Sequence, residues 1–545
     1  MEYRQLDEKE IRQLEDNNCW AEDWQRVMVA DDFNPNAVRN VTFYGDVKLG
    51  SFDKSIEVSK TFMRRTGVYN ATLRNVTIGN NSLVENVGNY INNYVIGSDC
   101  YISNICTMET TEGATYGEGN IISVLNEVGE GNVMSYHGLT SQIAALMVRH
   151  AGNNAFRTAI RRLVAEYIQR TTPDTGTIGN GVKIVNTKEV TNTVVYNDCE
   201  INGAARISDC TIMSSPEASV FIGTGVICEN SIIAHGSSII NNHAYKMGPM
   251  HYGTLERGSK TASGAYLLMP AHIGTFSVCF GKLMYHPDTR SLPFSYLIAY
   301  GDIMYLVPGR NLTTVGLYRD IRKWPKRDMR SKQSRKSIVN FDWLSPFSVG
   351  EIIQGKRILE RLREASGDNV STYNYHEYVI KTSSLRKGIK YYDIALRIFM
   401  GAVLKRHALV PPTSTVGTGK WNDLSGLLLP DSEEQQLVSD IADGTIESMD
   451  DIVDRLNAIN DNYNEYRWAW AYRMILDYYG LTEITPQDAE RIHTDYITAR
   501  RAWIAEIKKD AEKEYQLGDV EDSVLQNFVS QLDKEIDFEN MTLYN

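Results

Sequence analysis

A chain of 545 residues exceeds what one ordinary core uses, so two or three domains are expected. With 42% hydrophobic and 23% charged residues and a net charge of −12, it reads as a soluble globular protein for which nucleic acid is not the general partner. The stretch MEYRQLDEKEIRQLEDNN lacks the apolar core of a signal peptide, and no run approaches the roughly 20 apolar residues needed to span a bilayer. Seven cysteines occur singly, without a CxxC pair, which argues against a disulfide framework or a thiolate zinc site and predicts a cytoplasmic protein.

Residues 1–37 read as an N-terminal helical segment. From residue 38 an interval of six takes over: Val41 and Val47, then Ile78, Val84, Tyr90, Ile96, Ile102 and Met108. Four residues beyond the first five of the longer series lie Ser82, Gly88, Tyr94, Cys100 and Cys106, mostly small. Neither a period of two nor one of 3.6 produces this spacing. It predicts a parallel β-helix with three short strands per turn, an aliphatic side chain from each strand filling the axis. The pattern divides the chain into a first β-helix part over 38–138, a helical insertion over 139–175 and a second part over 176–318 with a loop at 243–271. A basic linker follows over 319–344, where nine of the eighteen residues of RDIRKWPKRDMRSKQSRK are Arg or Lys. Residues 345–545 carry long helical patterns and form an α-helical C-terminal domain.

The chemistry-bearing residues concentrate near the second part. His235, His243 and His251 stand eight apart among small and aliphatic residues. Neither register available to 221–240 puts His235 on the axis, so it faces a cleft, and its near-neutral pKa suits a general base. Intervals of eight fit neither a same-strand pair nor a one-turn stack, so no metal is assigned. In NNHAYKMGPMHYGTLERGSK, Asn241, His243, Lys246, His251, Tyr252, Arg257 and Lys260 are candidate contacts to an anionic ligand such as a pyrophosphate; an ordinary polar loop is the alternative. His272 is placed to face the same cleft, and His137, ending the first part, is a weaker candidate. Arg319 opens the basic block, which suits a phosphorylated ligand or an acidic carrier protein.

The six-residue repeat resembles the left-handed β-helix, or hexapeptide-repeat, superfamily. Two local stretches resemble its UDP-N-acetylglucosamine acyltransferase group: Ile233, Ala234 and His235 in a turn, and YLIAYGD at 296–302 followed by GLYRD at 316–320. The overall plan also resembles a group of bacterial β-helix proteins of the Bacteroides lineage. The resemblance implies a mainly β solenoid plus α, a homotrimer with sites between subunits, and acyl transfer to a sugar nucleotide with His235 as base. It implies no tightly bound cofactor, with acyl-CoA or acyl carrier protein as co-substrate. The readings beside it are a non-catalytic sugar-nucleotide-binding or scaffold protein, and a metal-dependent enzyme like the gamma-class carbonic anhydrases.

Overall fold

The structure, a computed structural model, describes residues 2–123, 131–235, 238–239, 253–268, 270–283, 285–328, 336–407, 409–518 and 521–539. Among them are eleven α-helices: α1 Glu8–Asp16, α2 Ser141–Arg149, α3 Asn154–Thr171, α4 Val315–Arg327, α5 Pro346–Ser366, α6 Thr382–His407, α7 Asp431–Ala442, α8 Met449–Asp461, α9 Tyr463–Tyr479, α10 Pro486–Leu517 and α11 Asp522–Glu539. The largest sheet has fifteen strands among the described residues. Its successive long strands Val38–Leu49, Gly67–Ile78, Leu83–Ile96 and Tyr101–Glu109 pair in parallel. The chain then leaves the sheet, forms α2 and α3, and returns at Gly176–Ile178 against Leu83–Ile96. That return closes a ring of four strands, Leu83–Ile96, Gly176–Ile178, Glu189–Val195 and Tyr101–Glu109.

Parallel register places like side chains on like. Val84 pairs with Ile102, Ile102 with Ile184, Ile184 with Ile201 and Ile201 with Ile222. All five are fully buried, and such interior aliphatic contacts are the main favourable term of folding. The long strands change direction without ending because single residues adopt left-handed backbone. These include Asn40, Asn70, Asn75, Asn86, Asn93 and Asn104, with φ between 52° and 56°. Asparagine tolerates this region because its short amide bonds locally. The amides also bond one another: Asn40 donates to Asn70 at 2.9 Å, Asn70 to Asn86 at 2.9 Å and Asn75 to Asn93 at 3.1 Å.

These features correct the expected fold. The chain is a mixed α/β protein with a large sheet, a closed four-strand ring and eleven helices among its described residues, not a mainly β left-handed solenoid. The six-residue interval reports interior positions, but one strand, Leu83–Ile96, contains Val84, Tyr90 and Ile96 together, so the hexads are not separate short strands. The interval also slips at Tyr90, which is exposed, while Ile91 is fully buried. An asparagine bend shifts the alternation by one residue there, and the same happens later: Ile222, Cys228 and Ile233 are the buried set, with exposed Phe221 and Ile227 beside them.

A second core runs from Ile273 to Leu532 and joins the later strands to α4, α5, α6, α9, α10 and α11. A third joins α2 and α3 to Leu424, Leu427 and Leu429 and to α7 and α8, so the helical excursion packs against residues more than 250 positions away. The basic block begins inside α4, which covers 315–327. Cys19, Cys100, Cys199, Cys210, Cys228 and Cys279 are buried free thiols, and Cys106 is half-buried. Among the described residues no helix is long and apolar enough to cross a membrane.

Asn75 tests the bends. Its φ is 52°, its side-chain oxygen accepts from the Asp46 N–H at 3.1 Å, and its amide donates to Asn93. Asn75→Gly removes the bonds but tolerates the backbone, whereas Asn75→Ala also incurs the left-handed penalty. Urea unfolding is expected to rank wild type above N75G and N75G above N75A, with N75A losing roughly 1–3 kcal/mol. Equal stability of the two variants would contradict the role given to backbone conformation.

Candidate functional site

A cleft of about 590 Å³ lies where five segments meet: α2, the turn between Gly253–Leu255 and Lys260–Thr261, α4, residues 339–341 and the turn 423–426. That volume is typical of sites for small molecules. Apolar walls come from Trp324 and Ile321 on α4 with Leu255, Phe276 and Phe341. Gly258 is required at the turn: its φ is 66°, and a Cβ there would stand 2.1 Å from the Phe276 ring. Phe276 is in turn stacked on Phe294, with centroids 5.1 Å apart.

One end of the cleft is knitted by Arg257. Its Nε donates to Asp423 at 2.7 Å, its Nη1 to the Asp342 carbonyl at 2.9 Å and its Nη2 to the Gly426 carbonyl at 3.3 Å. Asp423 is buried and Arg257 is largely covered. Arg149 of α2 bonds the Asp423 carbonyl and pairs with buried Glu434 at 3.3 Å. Behind this end, Glu256 holds His272 Nε2 at 2.7 Å. Burial pushes the Glu351 carboxyl well above the usual range, opposed by the Thr275 hydroxyl bonded to it at 2.6 Å and reinforced by Glu256 and Asp423.

The other end is cationic. Lys260 pairs with buried Asp320 of α4, and Arg319 Nε lies 3.8 Å from the same carboxylate. Burial first, then the neighbouring charges of Arg319 and Lys323, push the Lys260 ammonium below its ordinary pKa. Like charges therefore outnumber Asp320 here. Trp324 is half exposed at the rim, with Lys323 Nζ 5.3 Å and the Arg327 guanidinium 5.6 Å from its ring.

Of the residues predicted from sequence, Arg257 and Lys260 line the cleft, Arg319 stands beside it and His272 holds its lining residue Glu256. His235 does not line it; it occupies a turn after strand Ile227–Ile233, where burial and then Lys336 lower its pKa, against an opposing pull from Glu217. Asn241, His243, Lys246, His251 and Tyr252 lie outside the described residues. Among the described residues no three His, Cys, Asp or Glu side chains are grouped to hold a metal ion. Sequence reasoning missed Trp324, Phe276, Phe341, Asp320 and Asp423. The basic run around Trp324 was the available signal; the others carry none, because the partners lie up to 166 positions apart.

The family described as Domain of unknown function (DUF4954) matches residues 3–242 and 238–363, and that described as Domain of unknown function (DUF6819) matches 405–542. A protein of Treponema pallidum (strain Nichols) described as "Uncharacterized protein" is 25% identical over 248 residues, 44% of this chain and 34% of the relative. The chain thus spans about a third of the length of that relative. These matches overturn the resemblance to hexapeptide-repeat acyltransferases and to a Bacteroides-lineage β-helix group. The fold agrees: the first five residues of YLIAYGD form strand Tyr296–Tyr300, which turns at Gly301 and Asp302 to pair antiparallel with Ile303–Val307, and GLYRD lies within helix α4. A short identity without the backbone that goes with it carries no shared role.

Arg257→Ala strands a buried carboxylate and two carbonyls. Thermal and urea unfolding are expected to show a loss of about 3–5 kcal/mol. Arg257→Lys, which cannot reproduce the three-way fork, is expected to recover only part of it. A loss under 1 kcal/mol in R257A would mean that the three segments are held by other contacts.

Proposed function

The chain belongs to the family described as Domain of unknown function (DUF4954), and we propose that it binds a nucleotide-like anion, with a sugar nucleotide as the fullest fit, in the cleft beside α4. The observation that carries this reading is the pairing of an aromatic wall with a local excess of cations. Trp324, Phe276 and Phe341 give the cleft an aromatic lining against which a planar base can pack. Lys260, Arg319 and Lys323 crowd one another enough to depress Lys260, so an added phosphate relieves repulsion as well as forming charged hydrogen bonds. At the opposite end Glu256, which holds His272 through one carboxylate oxygen, is suited to accept from a sugar hydroxyl through the other. The acyl-CoA, acyl carrier protein and homotrimer of the sequence reading rested on the overturned resemblance and form no part of the proposal. A cytoplasmic setting is included in it, supported by free, buried thiols: burial pushes Cys100 up to about 11 and Cys199, Cys210 and Cys279 up to about 12.

Titration calorimetry and thermal unfolding with UDP, UDP-N-acetylglucosamine, GDP-mannose and inorganic pyrophosphate test this reading. A nucleoside diphosphate at 100 times its dissociation constant is expected to stabilise the fold by about 2.7 kcal/mol. Trp324→Ala, at a half-exposed position, is expected to weaken binding about tenfold while leaving unliganded stability nearly unchanged. Binding of no compound at millimolar concentration, or equal binding by W324A, overturns the proposal.

A further inference from the structure

Most polar side chains of the cleft are either engaged by the protein or free to turn. Asp423 is held by Arg257, Asp320 by Lys260, and Glu256 through one oxygen by His272. The hydroxyls of Thr254 and Ser425 can rotate to donate or to accept, so they suit either kind of partner. Asn340 differs from all of these. It is half-buried in the cleft wall between Val339 and Phe341, and its side-chain oxygen accepts from the Asp342 N–H at 2.8 Å. A backbone N–H needs an acceptor, so the oxygen and not the nitrogen of the amide takes that place, which settles the two ends of the side chain. Nδ2 is left as a donor only, and among the described residues no acceptor meets it.

The backbone beneath Asn340 is fixed on both sides. The Ile338 N–H donates to the Gln142 side-chain oxygen at 3.0 Å, the Asn340 N–H to the Gly426 carbonyl at 2.9 Å, and the Asp342 carbonyl accepts from Arg257 at 2.9 Å. The Asp342 carboxylate is anchored in turn by the Tyr463 hydroxyl at 3.0 Å and by buried Arg467 at 3.0 Å. Gly426 has a φ of 110°, and a Cβ on it would stand 2.8 Å from the Ile338 carbonyl oxygen, so glycine is what lets the turn 423–426 lie against this segment. A donor held in this way needs little further ordering when a ligand arrives, and a pre-set direction is what allows one side chain to tell two ligands apart.

Two amide hydrogens of fixed origin beside an aromatic lining match an exocyclic carbonyl oxygen on a planar base. Uracil and guanine carry a carbonyl where cytosine and adenine carry an amino group, whose own hydrogens would face those of Nδ2. The geometry points to Asn340 as the residue that makes the cleft favour a keto base, uracil or guanine, over its amino counterpart, cytosine or adenine, an assignment that rests on the nucleotide reading of the cleft. Meeting a donor with a donor costs more than the missing bond, because both groups have given up water.

Titration calorimetry of the full chain with UDP, CDP, GDP and ADP tests this. The phosphates are the same in all four, so the ratio within each ring size isolates the base. UDP is expected to bind about tenfold tighter than CDP, or GDP about tenfold tighter than ADP, and the better of UDP and GDP identifies the ring size. Asn340→Asp keeps an oxygen for the Asp342 N–H but presents an acceptor in place of the donor. Its thermal midpoint is expected to stay near that of wild type while the keto-to-amino ratio falls to one or below; the added charge weakens every diphosphate alike, so the ratio is the quantity read. Asn340→Ser, whose short hydroxyl donates or accepts without added charge, is expected to bring the ratio near one. Equal binding of keto and amino nucleotides by wild type, tighter binding of the amino ones, or an unchanged ratio in either folded variant overturns the role of Asn340 and leaves the nucleotide reading standing. Binding of none of the four removes that reading and this assignment together.

Discussion

The structure depends on residues that hold left-handed backbone at the bends of long parallel strands. An L-residue adopts that conformation at a cost of about 1–2 kcal/mol, which asparagine reduces by bonding its own surroundings. Here the amide of one bend bonds that of the next, as in Asn40 to Asn70 to Asn86. The bends therefore come into vertical alignment, and alignment of the bends fixes which side chains meet inside. A slip of one residue would turn the buried Val84, Ile102, Ile184 and Ile201 outward, so the amide rows and the aliphatic stack enforce a single register. Gly176 shows how narrow the tolerance is: a Cβ there would sit 2.3 Å from the Tyr94 ring, which fills the interior where the chain rejoins the sheet after α3.

That rejoining has a consequence for everything outside the sheet. Because the strand from Gly176 returns onto Leu83–Ile96, the intervening chain is displaced as a closed excursion and must bury its own apolar face elsewhere. It does so against Leu424, Leu427 and Leu429 and helices α7 and α8. The cleft is the space left between this helical unit, the later strands and α4. Its polar ends are formed by charge pairs, Arg257 with Asp423 and Lys260 with Asp320, which hold segments distant in the chain rather than neighbours in one element.

Part of this was legible in the sequence. The six-residue interval identified Val84, Ile96, Ile102 and Ile184 as interior, and their burial follows directly from parallel stacking. What the interval hides is strand length: an asparagine bend permits a strand to continue, so a repeating interior position does not mark a strand end. The same bends account for the misreading of Tyr90, since a bend resets the two-residue alternation and makes Ile91 the inward side chain. At the candidate site, Lys260 and Arg257 were visible as cations in a polar stretch, but their carboxylates were not, because attraction across 60 and 166 positions leaves no local pattern. The acyltransferase motifs failed for the converse reason. YLIAYGD and GLYRD are local patterns whose backbone here is a hairpin strand and a helix.

One buried side chain ties the surroundings of His137 to the cleft. Gln142 of α2 has its Nε2 at 3.0, 3.2 and 3.0 Å from the carbonyl oxygens of Ile338, Leu424 and Ser425, two hydrogens shared among three acceptors, and accepts from the Ile338 N–H at 3.0 Å. It thereby clamps the segment that begins at Lys336, beside His137, and runs on to Val339, Asn340 and Phe341 in the cleft wall. Asn340 continues the clamp through its N–H to the Gly426 carbonyl at 2.9 Å, the same carbonyl that Arg257 reaches. An apolar side chain at 142 would leave three carbonyls and an N–H without this partner around a buried position, which is costly. The polar residue at the heart of an otherwise apolar helix face is thus explained by what it aligns. It sets where one extended segment lies, and that segment contributes Lys336 to one group of residues and an aromatic wall to the other.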